Sequence, residues 1–168
     1  MSLKDHRFNC LNDCAVSILY HIDDIAQYLD RYKNVINGIT ILDRSFIEME
    51  VLKPIYTAIA IVGIHILKPY HLLLLDKETK YSTLLSSFPK LHNNLLSISP
   101  EEMLELKHTF KFASKDHFEK SLPEKELLSS VVENISQYSQ EICQILRLLL
   151  KIFADGFAYQ KESILGMV

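Results

Sequence analysis

The chain has 168 residues, 48% of them hydrophobic, and a formal net charge of −3. That length suits one domain with a sizeable core, and the apolar content excludes a disordered tail. With 4 glycines and 5 prolines there is little material for hairpins or phosphate loops, and the negative balance gives no general field for a nucleic-acid backbone.

The spacing predicts a first helix over residues 11–34. Leu11, Ala15, Ile18, Ile22, Ile25, Leu29 and Tyr32 advance by threes and fours, which keeps one stripe on one side of an α-helix. Asn9 or Asn12 is placed to cap its start, and Asn37-Gly38 to end it. Asp43 or Ser45 opens a second helix through Phe46, Val51, Leu52, Ile55 and Ile59, which Pro54 should kink or divide. Residues 57–67 suit a buried strand by their β-branching and a buried helix by their length. Helix is preferred because no partner strand is evident. Residues 55–75 are very apolar, yet Gly63, His65, Lys68, Pro69 and His71 interrupt them. The longest clean run is shorter than the about 18 residues of a spanning helix, so the expectation is buried core and no membrane partner.

Lys68-Pro69 is expected to break the chain again before a polar turn at 76–80. Ser82 or Thr83 then opens a helix with Leu84, Leu85, Phe88, Leu91 and Leu95, kinked at Pro89. Ser99-Pro100-Glu101-Glu102 offers a cap, a first-turn proline and a Glu three residues after the Ser. This is a capping box, and it starts a helix expected to reach Phe112. Residues 114–121 read as a short polar connection or a single turn around Phe118.

Residues 122–153 carry the longest pattern: Leu128, Val131, Ile135, Tyr138, Ile142, Ile145, Leu149 and Ile152. Pro123 and the acidic Glu124 and Glu126 suit a helix start, and Asp155-Gly156 reads as a stop. The rod would be roughly 45 Å long. The two long stripes, near opposite ends of the chain, are expected to pack together. The fold class is therefore all-α, an irregular bundle of about five to seven helices with long first and last helices, forming one domain over residues 1–168. Whether that domain is whole or excised is left open, because Met1-Ser2-Leu3 can be a leader.

Few residues suggest chemistry. His6, Cys10 and Cys14 are spaced four apart and are weak metal-ligand candidates, since ligands along one helix cannot surround a tetrahedral ion. Asp23-Asp24 reads as a solvated face. Tyr56, His65, Tyr70 and His71 form a candidate pocket set for a small molecule, with the histidines equally readable as hydrogen-bonded core. Cys143 falls on the polar side of the last helix. Lys107, Lys111, Lys115 and Lys120 make a local basic patch. No phosphate-loop, dinucleotide or nucleophile-elbow motif is present, so no cofactor is implied and no reaction is indicated.

Several strings resemble the middle of hAT-superfamily DNA transposases and the host proteins derived from them. His6-Arg7-Phe8-Asn9 resembles the family's T-R-W-N-S element, which precedes a long helix. Leu67-Lys68-Pro69, then Lys80-Tyr81-Ser82-Thr83-Leu84, then Phe88-Pro89-Lys90-Leu91 resemble its L-K-P … Y-P-T-L … P-x-L order. Gln160-Lys161-Glu162 is loosely similar to a later segment. Phe8 stands for the tryptophan, Ser82 for a proline, and no threonine precedes Arg7. The resemblance implies a piece of the helical domain inserted into a ribonuclease H-like core, without that core's acidic residues. By the resemblance Arg7 and Phe8 alone would lie near DNA; apart from it, the basic patch offers Lys107, Lys111 and Lys115 as candidate contacts. The leading expectation is a non-catalytic scaffold that binds a protein partner or itself, with DNA as a further partner if the resemblance holds. One alternative is a homodimerising regulatory module using part of the last stripe; another is a sensor or enzyme built on the His/Tyr pocket. An odd count of 3 cysteines suits an intracellular compartment, nuclear if the resemblance holds.

Overall fold

The computed structural model describes residues 7–32, 49–77 and 79–165, with side chains placed for 10–32, 51–77 and most of 79–158, and no strand occurs among them. In chain order the elements are α1 (Arg7–Tyr32), α2 (Met49–Val62), a π-helical turn (Gly63–Leu67), α3 (Lys68–Leu75), α4 (Tyr81–Ser97), α5 (Pro100–Leu104), α6 (Lys115–Ser121) and α7 (Lys125–Leu165). The fold is all-α, and residues 57–67 are helical. Asn37-Gly38, Asp43, Ser45 and Phe46 lie outside the described residues.

Pro69 does not break the chain. The Lys68 N–H donates to the Gly63 carbonyl, one residue further back than in an α-helix. Widening the turn in this way moves the preceding carbonyls out of the space that the Pro69 ring needs, and the axis continues. Pro54 likewise sits inside α2 without dividing it. Val51–Leu75 is consequently one rod of 25 residues, which by length and composition alone could cross a membrane, as a buried core helix of the same length also could. Within the fold, 56% of its most apolar window is buried. Ala58, Ile61 and Ile64 are fully buried on it.

This rod, rather than the pairing of the two long helices, is the centre of the bundle. Helices α1 and α7 do touch, and the Tyr20 hydroxyl donates to Glu126 at 3.5 Å. Each nevertheless lies more extensively against α2 than against the other. Asn12 of α1 packs directly against Gly63. A Cβ built on Gly63 would lie 1.8 Å from Asn12 Oδ1. Asn12 is fully buried, and neither end of its amide has a hydrogen-bond partner. It therefore packs inside α1 rather than capping it, and Asn9 also falls within the helix.

Both long stripes drift. A strict three-four repeat advances by 3.5 residues per turn, whereas an α-helix needs 3.6, so the stripe rotates by about 20° per heptad. Tyr138 adds a break, with φ −125 and ψ 32. Beyond it the buried line is Ile142, Leu146, Leu150 and Ala154, while Ile152 is 65% exposed. At the far end of the chain Leu11 is exposed for the same reason. Gly156 does not stop α7, which runs on to Leu165.

Two capping boxes organise the middle. Ser99 Oγ accepts from the Glu102 N–H at 3.1 Å, and Glu102 accepts from the Ser99 N–H at 3.0 Å. The helix so started ends at Leu104, well short of Phe112, because Leu106 takes a left-handed backbone with φ 49. Phe110 and Phe112 then enter the core from an irregular segment. Ser114 caps α6 in the same reciprocal way with His117, giving a longer helix than a single turn and burying Phe118. In α4 the first turn begins at Tyr81 rather than at a Ser or Thr cap, and Pro89 lies inside it.

Candidate functional site

Among the described residues an apolar groove lies between the π-turn and α3 on one wall and the C-terminal half of α7 on the other, with a cavity of about 250 Å³. Its sides come from Ile66, Leu67, Leu74 and Phe153, and its floor from Tyr70 and Phe157. The Tyr70 and Phe157 rings meet edge to face with centroids 6.0 Å apart, and Phe88 of α4 packs edge-on to both from below. Such T-shaped pairs contribute about 0.5–1.5 kcal/mol each beyond the area they bury. Burial raises the Tyr70 phenol above its ordinary pKa, so it stays neutral. His71 and Ile152 complete the rim, and Ile152 and Leu74 are both exposed.

Gly156 also lines the groove. A glycine inside a helix costs about 1 kcal/mol relative to alanine. Among the described residues nothing requires it there: a Cβ at Gly156 would meet no atom within 4 Å. The missing side chain opens the groove toward solvent.

Of the four residues expected to share a pocket, Tyr70 and His71 line this groove, and Tyr56 and His65 do not. Tyr56 is half-buried against the core. His65 is 1% exposed on the π-turn, under α5 and α6. Its Nε2–H donates to the Met103 carbonyl at 2.9 Å, and Phe118 and Phe110 lie 5.2 and 6.0 Å away. Nδ1 is buried without a partner. Burial, the largest effect, holds the imidazole down at about 4; the Met103 bond opposes this and His108 adds to it. The ring is thus a neutral strut tying the π-turn to α5.

The basic residues are mostly matched by acids. Lys107 lies 2.7 Å from Glu105, Lys115 lies 3.5 Å from Glu119 and Lys120 lies 2.7 Å from Asp116. At Lys111 the backbone N–H donates to Asn94 Oδ1 at 2.9 Å, and the residue is exposed. Arg7 and Phe8 open α1, but their side chains lie outside the described residues, as does His6. Cys10 and Cys14 are exposed, and among the described residues no three metal-ligating side chains come together. Asp23 and Asp24 are exposed, with His21 Nδ1 3.5 Å from Asp24. Cys143 is buried rather than on the polar side, because α5 covers that flank of α7. Burial and then the Glu101 carboxylate push its thiol upward, which disfavours the nucleophilic thiolate. Glu101 itself pairs with Arg147 at 2.6 Å.

Sequence reasoning missed the groove residues Leu74, Phe153, Gly156 and Phe157. Gly156 was legible only as a stop, and Ile152 only as core. The architecture is that of an all-α bundle with an apolar surface groove. No family model, curated protein or solved structure matches the chain.

Proposed function

We propose that the chain is a non-catalytic helical scaffold, an interaction domain that receives a protein partner in the groove between α3 and α7. The observation that carries this is the combination of an open apolar cleft with an exposed apolar rim. Leu74 is 46% exposed and Ile152 65%. Both residues line the cleft yet keep much of their surface in water, so an occupant that extends past the cleft covers more apolar surface than one confined to it; each fully buried aliphatic side chain contributes about 1.5–3 kcal/mol. The lining offers one imidazole and one phenol and no carboxylate or thiol, which suits recognition better than bond-breaking.

A photo-crosslinking side chain placed at Leu74 in the full chain tests the reading in living cells, with exposed Glu133 as the control position. The expected result is a discrete protein adduct at Leu74, identified by mass spectrometry, and none at Glu133. Equal labelling at both positions, or no adduct at Leu74, would sink the reading.

A second reading is that of a DNA-associated piece of a transposase-like protein. What favours it is the long helix of 26 residues beside Arg7-Phe8-Asn9, although these residues form its first turn, whereas the family's T-R-W-N-S element precedes its helix. On this reading a duplex binds with a salt dependence, and Arg7→Ala lowers the log–log slope by about 1. No retention of duplex at low salt rules it out.

A further inference from the structure

We infer that the occupant of the groove is a second copy of this chain, docked across a twofold axis that passes beside Ile152; this rests on the groove being the interaction surface. One ridge of α7 is its own antiparallel complement. Leu148, Ile152 and Gly156 follow one another at intervals of four, so they form a single ridge. Leu148 is 64% exposed and protrudes, while Gly156 is a vacancy bordered by open space. Leu148 and Gly156 are equidistant from Ile152. Turning one copy end for end about Ile152 therefore seats Leu148 of each copy over Gly156 of the other. A twofold interface requires this reciprocity, with knob and hole on the same patch.

Charge agrees with shape. Lys151 and Asp155 flank the ridge on its exposed face, one turn apart. The same rotation brings Lys151 of one copy toward Asp155 of the other, twice. A parallel arrangement would oppose like charges instead. The glycine finds its reason here as well. Its cost to α7 is returned by the close approach of two helices, for which the monomer has no use.

Sedimentation equilibrium of the full chain over a wide dilution series tests this. The expected mass rises with concentration toward twice 19.4 kDa. Gly156→Leu fills the vacancy, and Ile152→Lys charges the axis; each should hold the mass at 19.4 kDa with unchanged helical circular dichroism. Lys151→Asp and Asp155→Lys should each weaken association at least tenfold, and the double exchange should restore it. A mass of 19.4 kDa at every concentration overturns the inference, as does dimerisation indifferent to Gly156→Leu. The Leu74 crosslink separates the two levels. An adduct with a second copy supports both, an adduct with a different protein defeats only the self-pairing, and no adduct defeats the groove itself.

Discussion

Lowering the pH from neutrality to about 4 should destabilise the fold by about 3 kcal/mol through His65 alone. The folded imidazole titrates at about 4 against an ordinary 6.5, chiefly because it is buried. A depressed folded value means that the unfolded chain takes up the proton first. Stability is thus complete above pH 6.5, falls as pH drops, and stops falling below about 4. The ring faces Met103, Phe110, Phe118 and the nearby His108, so no carboxylate compensates. Urea denaturation at several pH values reads the slope. His65→Gln keeps an N–H for the Met103 carbonyl but cannot titrate in this range, so it should flatten the curve between those limits. An unchanged slope in that variant would assign the acid sensitivity elsewhere.

Gly63→Ala should cost about 3 kcal/mol, near the top of the range for overpacking. The added carbon would sit 1.8 Å from Asn12 Oδ1 and 2.6 Å from Asn12 Cβ, so rotating the amide away is insufficient. Either α1 lifts off the π-turn or the turn gives way. Asn12→Gly in the same chain should recover part of the loss, despite about 1 kcal/mol of helix penalty for the new glycine. Thermodynamic coupling between the two positions is the decisive measurement. Simple additivity would mean that the contact does not set the spacing of α1 and α2. Asn12→Ala alone should be close to neutral, because the amide removed has no hydrogen-bond partner.

The all-α class was legible because its signals are local: three-four periodicity, the Ser99 capping box and the scarcity of turn residues all act within a few positions. The centre of the bundle was not. The long stripes drew attention to α1 and α7 by their length, although the shorter and more apolar α2 carries a comparable amphipathic pattern. Pro69 and Gly63 looked like breaks because a proline's effect on a regular helix is known, while the wider turn that absorbs it depends on packing from α1, α5 and α6. Ile152 was misplaced for a cumulative reason, since small angular errors add along a helix of 41 residues. Of the expected pocket residues, Tyr70 and His71 reached a cleft, and His65 was drawn away by the Met103 carbonyl. Nothing in the local sequence around 65 specifies a partner 38 positions downstream.

The widened turn at Gly63–Leu67 amounts to one residue more than a regular helix would use over the same rise. Every side chain after it is offset by about 100° from where an unbroken helix would aim it. Excising a single residue there would leave a more regular rod of the same rise, yet Tyr70, His71 and Leu74 would swing away from α7 and the cleft would lose a wall. The binding surface of this chain is thus set by a counting step made upstream of it, and a one-residue deletion can erase it while the helical content stays the same.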